Sequence, residues 1–297
     1  MKDYYIYYNN NFVRQGNATL SVLSASTQFG LNVFEGIRIY KEDSFYVFRL
    51  EDHLKRLNNS LHQIGFNTEV ISKNEFLNIL RELIILNNIK TDFSIRFTYL
   101  INEIDSWSSN KQPVFFIAPL IKERNSSDTY KTMALTKTRR ITSSAMDPKV
   151  KCGANYINGR YALLEARSKG AELPLLKNKD GFISESSGAC IFLVKKGEFL
   201  TPSLDCDILE SITRDTVIKI LLENKFKAKE KLISEEELNE SDEIFLCGSA
   251  AEITPIKLMN EPDFKIGDLT KFIFKEYQLA VTNKSYKDFS WTTKLDV

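Results

Sequence analysis

At 297 residues the chain has room for one large domain or two moderate ones, and its 43% hydrophobic and 27% charged content is that of an ordinary globular protein. Lys+Arg total 40 against 39 Asp+Glu, a net charge of +1, which leaves no electrostatic footprint for nucleic acid or an anionic membrane. The only histidines are His53 and His62, and the cysteines Cys152, Cys190, Cys206 and Cys247 are scattered without a Cys-x-x-Cys pair. That inventory excludes a Ser-His triad or a metal centre and points to reduced thiols in a cytoplasmic protein. No stretch approaches the ~20 apolar residues of a membrane helix, and Met1–Tyr4 does not begin an apolar signal segment.

In chain order, aromatic and β-branched runs predict strands over 4–8, 36–40 and 45–49, with Asn9–Asn11 as a turn. Leu54, Leu57, Leu61 and Ile64 recur at helical spacing, as do Phe76, Leu77, Leu80, Leu83 and Ile84. Strands over 94–101 and 114–121 follow. The polar run from Lys122 to Asp128 has no apolar period and opens a linker over 122–132, dividing a domain over 1–121 from one over 133–297. In the second domain we expect a helix over 157–168 ending at Gly170, strands over 181–184 and 191–194, and a helix over 214–224. A strand over 243–247 and a helix over 269–279 complete it. The class is mixed α and β.

Several segments invite chemistry. Lys151 lies between Val150 and the small residues Cys152–Ala154, and Tyr156 then opens a helix. A desolvated lysine there would be neutral enough to attack a carbonyl, although a solvated surface lysine fits the same pattern. Glu185 follows a predicted strand and precedes Ser186–Gly188. It is either a partner for a cationic ring or an ordinary turn carboxylate. Ser211–Asp215 begins a helix whose first N–H groups suit a phosphate as well as a simple cap. The Gly248–Ala251 run offers a second anion nest. Arg56 sits beside an apolar helix stripe, while Arg38 and Arg96 lie within strands and face either a cleft or solvent.

Together, these segments resemble the class IV, or fold-type IV, aminotransferases that use pyridoxal 5'-phosphate, and within them the branched-chain aminotransferases. The carrying segments are Phe34–Arg38, His53–Leu57, Lys151–Tyr156, Gly181–Glu185, Ile212–Asp215 and Gly248–Pro255, in the family's order. The resemblance implies a small N-terminal α/β domain, a larger barrel-like C-terminal α/β domain, and at least a homodimer. It implies ping-pong transfer of an amino group between an amino acid and a 2-oxo acid, with Lys151 carrying the cofactor as a Schiff base and moving the proton. By the same resemblance Glu185 pairs with the ring nitrogen and Tyr156 with the phenolic oxygen. Arg56, Ile212, Thr213 and Ser249 hold the phosphate. Phe34 and Gly36 line the side-chain pocket, and Arg38, Arg96 and Ala250 serve the substrate. The chain departs from the family's usual residues at Phe29 and Ser94, commonly tyrosines, at Glu210-Ser211, commonly Pro-Gly, and near Cys190, often asparagine. A 4-amino-4-deoxychorismate lyase, a D-amino-acid transaminase and a non-catalytic cofactor-binding protein are the alternatives on this scaffold.

Overall fold

The computed structural model describes residues 3–259 and 265–297. The chain divides into two compact units. The first comprises residues 1–123, 150–154 and 280–297, and the second comprises 124–149 and 155–279.

The first unit begins with β1 (Tyr5–Tyr8) and β2 (Asn11–Arg14), then a short helix α1 (Ala25–Phe29). Next come β3 (Asn32–Lys41) and β4 (Phe45–Phe48), the helices α2 (Leu50–Gln63) and α3 (Lys73–Asn87), and β5 (Phe93–Leu100) and β6 (Val114–Ile121). Its seven-stranded sheet runs C-terminal strand, β4, β3, β5, β6, β1, β2, the first of these being Thr292–Leu295. The sequence division assigned 133–297 to the second domain. Backbone pairing instead places Thr292–Leu295 antiparallel to β4. The segment around Lys151 joins the same unit, because Val33 bridges Cys152 and the Phe34 N–H donates to the Lys151 carbonyl at 3.0 Å.

Strand alternation sorts the long β3–β5 ladder into two faces. Val33, Ile37 and Ile39 stand opposite Tyr99, Ile95 and Phe93 and enter the main core with Leu57, Leu61, Phe76, Leu80 and Leu83 of α2 and α3. Each such leucine, fully buried, contributes about 1.5–3 kcal/mol relative to exposure. Ser72 caps α3 by accepting from the Glu75 N–H at 3.2 Å, and Asn88 ends it in the left-handed conformation. Phe34, Gly36 and Arg38 occupy the opposite face beside Thr98, Arg96 and Ser94.

The second unit contains β7 (Lys131–Arg139), α4 (Tyr156–Ser168), β8 (Leu173–Lys177), β9 (Cys190–Lys195) and β10 (Glu198–Pro202). Then come α5 (Ile212–Glu223), β11 (Ala228–Lys231), α6 (Glu235–Asn239), β12 (Glu243–Gly248), β13 (Glu252–Leu258) and α7 (Asp268–Val281), whose last two residues count with the first unit. The sheet order is β11, β10, β9, β12, β13, β7, β8, with β13–β7, β7–β8 and β10–β11 parallel. The strand expected over 181–184 is absent as such. Only Ile183 makes a bridge, to Lys177, in a segment where the Asn178 side-chain oxygen Oδ1 accepts from the N–H groups of Asp180 and Phe182. That local ring of bonds competes with a ladder. Gly170, with φ at +83°, follows the C-cap Lys169 of α4, a conformation that favours glycine. Among the described residues no helix is long and apolar enough to cross a membrane.

Candidate active site

The first unit gathers one set of groups around β3. Lys151 is held by its backbone, for its N–H donates to the Ser60 hydroxyl of α2 at 3.1 Å and its carbonyl accepts from Phe34. A Cβ on Gly153 would lie 2.7 Å from the Asn32 side-chain oxygen. Lys151 Nζ stands 5.1 Å from the centre of the Phe34 ring, and the Arg96 guanidinium stands 4.3 Å from the same ring. Between Phe34 and Arg38 on this face, a Cβ at Gly36 would meet nothing within 4 Å, so the backbone opens a space beside the lysine and arginine.

Arg38 is buried, 1% exposed, and donates to the backbone carbonyls of Lys122, at 2.8 Å, and Glu123. It therefore anchors the end of the unit's first continuous segment. Arg56 emerges from α2 and meets Glu35, whose carboxylate is on the core face of β3. Burial favours protonation of Glu35, but Arg56 and His53 hold its carboxyl well below the usual range. Burial in turn pushes the His53 imidazole below its ordinary value, against the pull of Glu35.

The second unit gathers another set at one end of its sheet. Glu185 is 4% exposed. Its Oε1 meets Arg140 Nη2 at 2.8 Å and accepts from the Leu209 N–H at 3.3 Å, while Oε2 faces the Cys190 thiol at 3.6 Å. Burial, reinforced by the negative charge of Glu185, raises the Cys190 thiol far above its ordinary value, so it is a neutral, weak donor. Cys190 pairs across the ladder with Cys247, so the hairpin Gly248–Glu252 turns at the same end. Helix α5 also starts here. The Ser211 hydroxyl accepts from the Arg214 N–H at 3.2 Å, and Ile212 and Thr213 supply the first-turn N–H groups that helix geometry leaves without intrahelical acceptors.

Asn125 holds the hairpin in shape. Its N–H donates to Glu252 Oε2 at 2.7 Å, and its side-chain amide reaches the Ala251 carbonyl and the Thr254 hydroxyl. Glu252 itself is buried at φ +47°, an uncommon conformation outside glycine that the surrounding bonds enforce. Ser249 and Ala250 are thereby presented at the tip. Tyr156 begins α4 and is 37% exposed.

Each unit's set fits part of a pyridoxal phosphate. A buried carboxylate is suited to a ring N–H, a twelve-residue helix and a small-residue hairpin present N–H and hydroxyl groups to an anion, and a lysine amine lies beside an open, partly aromatic face. Lys151, Arg56, Phe34, Gly36, Arg38 and Arg96 all fall in the first unit, and Tyr156, Glu185, Ile212, Thr213, Ser249 and Ala250 in the second. Sequence reasoning did not single out Glu35, His53, Ser60, Asn125 or Arg140. For Glu35 a signal existed: a carboxylate occupies an otherwise apolar stripe of β3, and His53 and Arg56 lie three apart on the helix that covers it. Among the described residues no group of three or more His, Cys, Asp or Glu side chains could hold a metal ion.

Known proteins resemble this chain along almost its whole length. The branched-chain-amino-acid aminotransferase of Pseudomonas aeruginosa is 29% identical over 311 aligned positions, covering 98% of this chain and 97% of that protein. The crystal structure of the branched-chain aminotransferase of Thermoproteus uzoniensis with norvaline superposes with a TM-score of 0.90 at 33% identity, covering 98% of this chain and 99% of that one. The enzyme of Thermobaculum terrenum in its PLP form gives 0.89 at 29% identity, covering 99% and 98%. Residues 32–259 match the amino-transferase class IV family, and the chain belongs to it, as an enzyme that transfers amino groups with pyridoxal 5'-phosphate.

Proposed function

We propose that this aminotransferase exchanges amino groups between branched-chain or related hydrophobic amino acids and 2-oxo acids. The observation that carries the reading is the Phe34 ring with Lys151 Nζ and the Arg96 guanidinium both against it. An apolar surface beside a base and a carboxylate-binding cation is what a hydrophobic amino acid requires. The bound cofactor supplies the electron sink that makes the substrate's Cα proton removable.

The chain's own residues supply the rest. Lys151 Nζ holds the cofactor and afterwards accepts and returns the proton. Glu185, ion-paired with Arg140, pairs with the ring nitrogen, and Tyr156 orients the ring through the ring's phenolic oxygen. Arg56, Ser249 and the N–H groups of Ile212 and Thr213 bind the phosphate. Arg96 and Ala250 receive the substrate carboxylate, and Phe34 and Gly36 shape the pocket for its side chain. Arg38, with donors on the Lys122 and Glu123 carbonyls, serves the substrate indirectly by fixing that face of β3.

In this reading the working form is a homodimer. Ile157, Tyr161 and Leu164 form a stripe along α4 at 56%, 63% and 46% exposure, an apolar surface that a second copy would cover. Four buried free thiols suit the reducing cytoplasm as the working compartment. Phe29 and Ser94 lack the hydroxyls with which relatives of this type receive a second carboxylate, so 2-oxoglutarate should be a weaker acceptor than hydrophobic 2-oxo acids.

The test is to follow the cofactor's absorbance as L-leucine, L-isoleucine, L-valine, D-alanine and L-glutamate are added singly. Conversion to the amine form by the hydrophobic L-amino acids supports the reading, and conversion by D-alanine alone overturns it.

A further inference from the structure

Glu35 is a costly residue to keep where it is. It is fully buried on the core face of β3, between Val33 and Ile37 and opposite Phe97. Replacing such a buried ion pair with apolar side chains is commonly neutral or stabilising, so fold stability alone gives a weak account of it. Its bonds are specific. Oε1 accepts from Arg56 Nε at 2.6 Å, Oε2 accepts from Arg56 Nη2 at 2.8 Å, and Oε2 lies 2.7 Å from His53 Nδ1. The first two bonds make a planar fork-to-fork pair, which fixes the direction of the guanidinium and turns its Nη1 edge away from Glu35. The third requires His53 to donate from Nδ1, because the carboxylate is ionised and only accepts. That bond holds the carboxylate plane in turn.

The same helix reaches the lysine. His53, Arg56 and Ser60 recur at spacings of three and four along α2, and the Ser60 hydroxyl receives the Lys151 N–H. One helix face therefore carries the arginine assigned to the phosphate and the anchor of the lysine assigned to the aldehyde, with Glu35 clamping its middle.

We infer that Glu35 is a positioning residue for cofactor binding, aiming Arg56 at the phosphate of pyridoxal phosphate through the Nε–Nη2 fork, with His53 orienting the Glu35 carboxylate. The inference rests on the proposed role of Arg56. It makes an opposite prediction from simple electrostatics. Removing the negative charge of Glu35 makes the region more positive and would, by charge alone, tighten phosphate binding. Loss of aim weakens it.

The experiment measures the affinity of apo-enzyme for pyridoxal phosphate and for pyridoxal, which lacks the phosphate, by absorbance and intrinsic fluorescence, with circular dichroism as a check on folding. The variants are Glu35→Gln, Glu35→Asp, Arg56→Ala and the double variant Glu35→Gln/Arg56→Ala. Glu35→Asp keeps the charge but shortens the reach by one methylene, and it keeps the test alive if Glu35→Gln does not fold. The expected result is a loss of roughly tenfold or more in pyridoxal phosphate affinity for each Glu35 variant, little change for pyridoxal, and no further loss when Glu35→Gln is added to Arg56→Ala. Equal losses for both ligands, unchanged or tighter pyridoxal phosphate binding in Glu35→Gln and Glu35→Asp, or additive losses in the double variant would overturn the inference. If Arg56→Ala alone leaves pyridoxal phosphate binding intact, the phosphate role of Arg56 fails first and takes the inference with it.

Discussion

Each unit buries one glutamate against an arginine, and the two pairs are built differently. Glu35 has both oxygens engaged by strong donors, the Arg56 fork and His53, within 2.6–2.8 Å. Glu185 places Oε1 on Arg140 and the Leu209 N–H, and turns Oε2 toward the thiol of Cys190. A thiol is a poor donor, and a ring N–H competes with it easily. A carboxylate saturated by its own chain is suited to holding another side chain still. One that counts a thiol among its contacts has a bond that a stronger donor on a ligand can replace.

The comparison breaks most sharply at catalysis. Glu185→Gln should lower kcat by about 10²- to 10³-fold at saturating cofactor, because the charge that stabilises the protonated ring is gone. Glu35→Gln should instead recover most of its activity when pyridoxal phosphate is supplied in excess. Rates measured across a cofactor titration separate the two, and a Glu35→Gln defect in kcat that excess cofactor leaves unchanged would erase the distinction.

Acid should separate the units next. Burial puts the folded His53 below its ordinary value near 6.5, so the unfolded chain takes up that proton first and stability falls as pH drops below about 6.5. Glu35 acts in the same direction at lower pH, since its depressed value gives stability that is present above about 4.5 and lost as pH falls toward the folded value. In the second unit Glu165 is pushed up by burial, but the N–H groups of Lys137 and Thr138 and the Lys169 amine bring it down to about 2. Its contribution is lost only between about 4.5 and 2. Thermal melts from pH 7.5 to 5 should show a decline that His53→Gln flattens.

The smallest effect belongs to Cys190→Ser. A hydroxyl is a stronger donor to Glu185 than the thiol, and we expect a change in rate within about tenfold. An unchanged cofactor spectrum and rate would indicate that the ring nitrogen, not residue 190, governs that oxygen.

Much of this architecture was legible in the sequence where one residue type repeats at a fixed spacing. The leucines of α2 and α3 declared their helices, and β5, β6, β9 and β12 showed as apolar runs. The strands β2 and β11, reading Asn-Phe-Val-Arg and Ala-Lys-Glu-Lys, are four residues each without an apolar alternation long enough to read, and a neighbour pairs with each of them. The helix at Ile212 starts two residues earlier than its apolar period suggested, because Ser211 is the cap. The motif residues could be named from resemblance, but their partners could not. Arg140 reaches Glu185 from just past the end of β7, 45 positions away in a polar stretch, and no local pattern predicts a contact made by tertiary folding.

The C-terminal strand has a consequence for the order of assembly. The Ser44 hydroxyl donates to the Leu295 carbonyl across 251 positions of sequence. Synthesis releases β4 about 250 positions before its partner, so β4 emerges with an edge that this strand does not yet cover. Such an edge is a template for pairing with the wrong strand, and closing so long a loop is slow. The unit that carries Lys151 therefore stays open at β4 until Thr292–Leu295 has been made.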